Sequence, residues 1–336
     1  MRKERTQTLL KTRRTALLSA ATLAICLSGG ALAADPPLRV LATVGMIADV
    51  AETVAGDCAE VTTLIAPGVD PHYYSATPSD VRALSQAELI LYVDFALEEQ
   101  LAEVLRALSG RTRTLGVLEA ALAADRLLDD PEAPGATDPH AWMDVSRWAE
   151  IVPVITAAMS EQRPDCAPAM EARAAAYRAQ LDALHDWVGE AIASIPEGNR
   201  ILVTAHDAFY YFSDAYGIQA SEAIQGISTA AEASIGDILE VAEFVIENNV
   251  PAVFVETTVS PRTIRALVTE VRARGHRLEI GGELFSDAMG DTGTPEGTYI
   301  GMVRANTITI TDALGGTRPP WPAVLGDWAA VWSLAD

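Results

Sequence analysis

Asp70-Pro71-His72-Tyr73-Tyr74, followed by Thr77-Pro78-Ser79-Asp80, is the stretch on which the reading of this chain turns. Its first three residues return as Asp138-Pro139-His140. A proline before each histidine restricts the local backbone and disfavours helix there, so both histidines are expected on loops with a fixed direction. A third, His206, closes the apolar run Ile201-Leu202-Val203-Thr204-Ala205. The chain has five histidines, and these three fall on loops or strand ends. Neutral imidazole offers a lone pair near neutral pH, which makes histidine the commonest metal ligand. One such histidine alone reads as a surface or capping residue. Three in repeated context point to a metal site.

The surrounding sequence alternates between strand and helix patterns. Before the second Asp-Pro-His, strands are expected at 38–44, 61–65, 89–93 and 112–117, with helices at 46–55, 80–87 and 98–108. Such alternation predicts a mostly parallel α/β lobe. Residues 125–138 are acidic, carry Pro and Gly, and contain no histidine. Helix is expected again over 145–161. The longest helical pattern runs over 167–195, where Met170, Ala174, Tyr177, Leu181, Leu184, Val188, Ile192 and Ile195 recur at three or four residues. A helix of that length spans about 40 Å, enough for a stiff spine between two lobes. Beyond it, strands are expected at 201–205, 220–224, 252–256 and 278–280. Helices are expected at 207–216, 261–274 and 298–314, and one more to 247 from the capping-box pair Thr229 and Glu232. Residues 283–287 read as a turn. The organisation is therefore an N-terminal α/β lobe over 34–164, a linking helix over 165–196 and a C-terminal α/β lobe over 197–336.

Residues 1–33 read as a signal peptide. Six basic residues precede the apolar run from Ala16 to Leu27, and Ala31-Leu32-Ala33 offers a cleavage site. Arg13-Arg14 carries a hint of twin-arginine export. The apolar run is shorter than the ~20 residues a membrane span needs. Ile25 before Cys26 argues against a lipid anchor. Removing residues 1–33 takes away six basic residues and one acidic residue, leaving 18 Lys and Arg against 45 Asp and Glu, a net charge of −27. That surface repels nucleic acid and anionic membranes and concentrates cations. The two cysteines left, Cys58 and Cys166, lie far apart and form no CxxC or Cys/His zinc cluster, so they read as free or buried thiols ahead of a disulfide.

Parallel α/β lobes place functional loops at the carboxyl ends of their strands. His72 and His140 belong to the first lobe, His206 to the second, and Asp287 is the carboxylate put forward beside it, one among 45. Three imidazoles and a carboxylate are a zinc-type set. A carboxylate binding through both oxygens raises the coordination to five and suits manganese. Asp207 and Glu256 are candidates to orient ligating imidazoles through the other ring nitrogen, against plainer roles as a helix-start and a strand-end charge. Tyr73 and Trp142 read as cleft walls, and His185 and His276 as surface or boundary residues.

The stretch Asp70-Pro-His-Tyr-Tyr-Ser-Ala-Thr-Pro-Ser-Asp80 resembles the metal-binding solute-binding proteins of bacterial ABC importers for zinc and manganese, the cluster A-I proteins. Asp138-Pro-His-Ala-Trp-Met-Asp144, Thr204-Ala-His-Asp-Ala-Phe209, Gly282-Glu-Leu-Phe-Ser-Asp287 and Gly297-Thr-Tyr-Ile-Gly-Met-Val-Arg-Ala-Asn306 are similar to theirs too, in the same order along the mature chain. The resemblance implies two (βα) lobes with mostly parallel sheets, joined by one long rigid helix, with one metal in the interlobe cleft. It implies that His72, His140, His206 and Asp287 hold that metal. Zinc-dedicated members often carry a long His- and Asp-rich loop before the second Asp-Pro-His, which this chain lacks. Many manganese-dedicated members have glutamate at the place of His206. The chain therefore looks intermediate, associated with Zn2+ and Mn2+ alike.

The expected function is a periplasmic binding protein, not an enzyme, that captures one divalent metal and delivers it to the membrane permease of an ABC importer. It is expected to act as a monomer and to bind no nucleic acid. The alternative is a secreted metallohydrolase using the same residues. A catalytic zinc normally keeps an open position for water, and the chain has neither H-E-x-x-H nor G-x-S-x-G. An adhesin or structural role stays open as an addition. Ligating imidazoles of ordinary pKa predict binding that weakens steeply below about pH 6.

Overall fold

Four strands, β1 (Leu38–Ala42), β2 (Ala59–Thr63), β3 (Leu89–Tyr92) and β4 (Arg113–Gly116), form one parallel sheet in the order β2-β1-β3-β4. The order follows burial. The central strands are nearly continuous apolar runs, as parallel strands covered on both faces must be, whereas the edge strand β2 reads Ala-Glu-Val-Thr-Thr and is mostly exposed. The computed structural model describes residues 36–334 apart from Glu132. The expected signal segment, with Arg13-Arg14, Cys26 and the Ala31-Leu32-Ala33 site, lies outside the described residues. From Pro36 on, the chain packs as one compact unit.

The second half holds four more strands, β5 (Ile201–His206), β6 (Ala220–Gln225), β7 (Ala252–Glu256) and β8 (Glu279–Leu284). They pair in parallel as β5-β6 and β7-β8. β5 and β7 run side by side, yet no ladder joins them into one sheet. In its place the Glu256 carboxylate accepts the amides of Ala205 at 2.7 Å and His206 at 2.9 Å. β8 carries a bulge opposite Val253 and Phe254 that skips Gly281. A Cβ on Gly281 would come within 2.8 Å of the Phe254 ring and 2.7 Å of Ala313, so only glycine lets the Tyr299–Ala313 helix sit this close. Beyond the bulge the ladder resumes through Glu256 and Leu284, and Asp287 follows three residues later.

The helix Ala167–Ala193 is continuous over 27 residues. It buries Met170, Tyr177, Leu181, Leu184, Trp187 and Val188 against helices of both halves. Three sequence expectations need correction. The 145–161 helix is two helices, Val145–Trp148 and Ile151–Gln162, because Pro153 fits only within a first turn, where amides have no intrahelical partner. The helix before residue 247 starts at Ile235, capped reciprocally by Ser234 and Asp237. Thr229, five residues earlier, is engaged elsewhere. Finally, Cys58 and Cys166 are joined in a disulfide across 108 residues. The helix Gly45–Ala55 packs along the start of the long helix, and its exit turn brings Cys58 beside the helix cap at Cys166. Arg173 binds the Val54 and Ala55 carbonyls there, and Arg163 binds those of Cys58 and Pro36.

Candidate metal centre

Each Asp-Pro-His loop is built by the same local device. Proline has no amide to offer, so the aspartate carboxylate accepts the amide of the histidine two residues on, at 2.9 Å for Asp70 to His72 and 2.9 Å for Asp138 to His140. This fixes both imidazoles on rigid turns. His206 is the last residue of β5, and Asp287 follows β8 by three residues. The four candidates thus come from loops and strand ends at carboxyl edges of parallel strands, as expected.

They converge. The Nε2 atoms of His72, His140 and His206 and both carboxylate oxygens of Asp287 are buried, and none has a well-formed hydrogen bond. Asp287 oxygens lie 3.7, 3.3 and 3.2 Å from the three Nε2 atoms in that order. One donor atom from each residue falls within 4.8 Å of all the others. A tetrahedral ion at ordinary zinc bond lengths separates its donors by about 3.4 Å, so the spacing fits one metal ion. Five unsatisfied polar atoms facing one another in a core would otherwise be a large desolvation cost.

Behind the donors, two imidazoles are clamped. The Nδ1 of His140 bonds the Asp138 carboxylate at 2.7 Å, and the Nδ1 of His206 bonds Glu256. Of the two orienting candidates read from the sequence, Glu256 has that role. The Asp207 backbone amide donates a hydrogen bond to the Gly226 carbonyl. The segment before Asp287 is held in turn. The Asn306 side chain bonds both amide and carbonyl of Phe285, and the Trp142 indole donates to the Ser286 carbonyl at 2.9 Å. Trp142 packs edge-on to His140 and is a wall, as expected. Tyr73 is half exposed, and its hydroxyl donates to the Thr229 carbonyl at 2.6 Å. The Thr229 hydroxyl donates to Asp70, also at 2.6 Å. Sequence reasoning missed Asp138, Asn306 and Thr229. Only Asp138 left a signal, the repeated Asp two residues before His. His185 stays apart, packed at a tilt against Tyr216 and bonded to its hydroxyl.

Burial and charge set distinct proton affinities. Burial pushes the His72 imidazole down to about 4, against the pull of Asp287. Burial opposes charge on His140 too, but Asp138 and Asp287 outweigh it and hold that imidazole up at about 9. Glu256 and Asp287 do the same for His206, which stays well above its ordinary value. Burial would raise Asp287, yet His206 and His140 keep it well below the usual carboxylate range. Without metal, the raised proton affinities of His140 and His206 favour imidazolium charge beside Asp287. A divalent cation replaces two positive charges with two, so the exchange leaves the charge of the core unchanged.

Residues 40–313 match the family described as Zinc-uptake complex component A periplasmic, ZnuA. The chain belongs to this family. It is 44% identical to the zinc-binding protein TroA of Treponema pallidum over 283 residues, covering 84% of this chain and 90% of TroA. It is 42% identical to the manganese-binding lipoprotein MntA of Bacillus subtilis over 282 residues, covering 84% and 91%. The solved structure of the Treponema pallidum periplasmic zinc-binding protein superposes with a TM-score of 0.80 at 43% identity, covering 83% of this chain and 99% of that one. These matches agree with the α/β fold of this ZnuA-family chain. Its His3Asp cluster, able to hold one ion, sits among relatives named for zinc and for manganese.

Proposed function

We propose that the mature chain captures one divalent transition metal, Zn2+ or Mn2+, through His72, His140, His206 and Asp287, and delivers it to the membrane permease of an ABC importer. The observation that carries this reading is the set of five buried, unsatisfied donor atoms spaced for one ion. The lobes at 34–164 and 197–336, joined by the helix of 165–196, close on that ion from two sides. Export through a cleaved 1–33 segment places the protein in the periplasm, as a monomer without catalytic activity. Among the described residues no helix is long and apolar enough to cross a membrane. The metallohydrolase reading finds no support among the relatives, and four protein donors leave no open position for water. The test is calorimetric titration of metal-free protein with Zn2+ and with Mn2+. A single saturable site is expected. Two equal tight sites, or none, would overturn the assignment.

A further inference from the structure

The cleft is strapped shut on its His72 side. Thr229, only 3% exposed, holds Asp70 through its hydroxyl and Tyr73 through its carbonyl, so a contact between the two halves covers the His72 loop. A cavity of about 120 Å³ lies between the Gly45–Ala55 helix and residues 287–297, with Asp49 and Glu52 on one wall, Ala66 and Thr292 toward its rim, and Asp287 and Met289 inside. That is room for several waters. Asp287 lines the inner end of the cavity, yet it is 1% exposed and both its oxygens lack hydrogen bonds, so the donors are reached by the cavity and nearly closed to bulk solvent. Met289 lines the same end, and its thioether tip is 3.0 Å from where a Cβ on Gly45 would stand. An unbranched methionine side chain is the kind that shifts at small cost.

We propose that this cavity, rather than the strapped mouth, is the path by which a divalent cation exchanges between solvent and Asp287 while the two halves stay closed. The proposal rests on the metal-binding reading above. Asp287 is the only anionic donor of the four, so a cation arriving here meets it first. Asp49 and Glu52 line the approach with negative charge, which raises the local concentration of hydrated cations. Burial lifts Asp49 to about 6, against hydrogen bonds from the Tyr177 hydroxyl and the Tyr299 backbone, and it is still ionised at pH 7.5. The N-terminus of the Gly45–Ala55 helix, which has no side-chain cap, contributes the opposite sign, and three carboxylates outweigh it.

Ala66→Trp and Thr292→Trp obstruct the rim at exposed positions, and Glu52→Gln removes one charge. Zn2+ association is followed by stopped flow, release by mixing with excess chelator, and Kd by equilibrium competition. A plug on the path alters the barrier and neither end state, so each Trp variant should slow both rates by about tenfold at unchanged Kd. Glu52→Gln should slow association at low ionic strength and lose that difference in high salt. Unchanged rates in both Trp variants overturn the proposal, as does faster exchange in Thr229→Val, which would put the path through the mouth. If a Trp variant does not fold, Glu52→Gln decides, and an unchanged salt dependence overturns it. Failure of the wild type to bind Zn2+ at equilibrium sinks the metal-binding reading instead, and is seen before any rate is measured.

Discussion

Asp70-Pro71-His72 and Asp138-Pro139-His140 use the same backbone device and then part company. In the second loop the aspartate turns its carboxylate to its own histidine ring, inside a core from which water is excluded. In the first loop the second carboxylate oxygen reaches across to Thr229. The imidazoles also differ in proton affinity: burial takes His72 down to about 4, whereas Asp138 and Asp287 hold His140 up at about 9. Identical tripeptides thus give one histidine anchored within its own half and one tied to the opposite half. A local motif specifies that a histidine is presented. What its aspartate does with the spare oxygen is decided by tertiary surroundings.

The largest effect removes the comparison altogether. Metal bound only by the folded state adds about 2.7 kcal/mol of stability at a hundredfold excess over Kd. His72→Ala, His140→Ala, His206→Ala and Asp287→Ala should each abolish most of the metal-induced rise in melting temperature. His185→Ala, on a ring that packs at a tilt against Tyr216 away from the centre, should keep it. A full shift retained by Asp287→Ala would remove that residue from the site.

Next is pH. The expectation of three ordinary histidines, with binding that weakens steeply below about pH 6, is extended upward by the raised proton affinities of His140 and His206. Protons held on His140 and His206 compete with metal at neutral pH, so affinity should keep climbing from pH 7 to 9, by up to about a hundredfold over two units for each proton displaced. For the metal-free fold the signs oppose. His140, raised to about 9, contributes stability present in full below its unfolded value of 6.5 and lost as pH rises through 9. His72, lowered to about 4, contributes stability present above 6.5 and lost as pH falls toward 4. NMR titration of the ring protons in metal-free protein reads both. Two rings titrating together near 6.5 would erase the difference between the loops.

The smallest effect sharpens it. Asp138→Ala unclamps an imidazole and should weaken metal affinity by about ten- to a hundredfold. Asp70→Ala loosens the His72 amide and the strap but no ring nitrogen, and should cost less, about tenfold or under, on the order of one ordinary hydrogen bond. Equal losses in competitive titrations would mean that ring clamping has no special weight here.

Much of this was legible in the sequence, for physical reasons. Strand and helix alternation survives as hydrophobic period, and the histidines stood out because proline and repetition marked them. Asp287 was different: no local pattern separates it from other carboxylates, and its neighbours Phe285 and Ser286 are held by Asn306 and Trp142 from distant segments. The Cys58–Cys166 bond escaped because proximity across 108 residues is a product of helix packing. Thr229 looked like a helix cap, and its hydroxyl was claimed instead by a carboxylate 159 residues away.

One feature of the second half has a practical outcome. Where β5 and β7 meet, a titratable side chain does the joining that amides and carbonyls usually do, and the same carboxylate grips His206. The amides of Ala205 and His206 are therefore wired to the charge on that ring. Their hydrogen-exchange protection should change when a cation displaces the imidazolium proton, while amides in the β1-β3 ladder stay silent. The protein carries its own occupancy gauge, readable by deuterium uptake without any label.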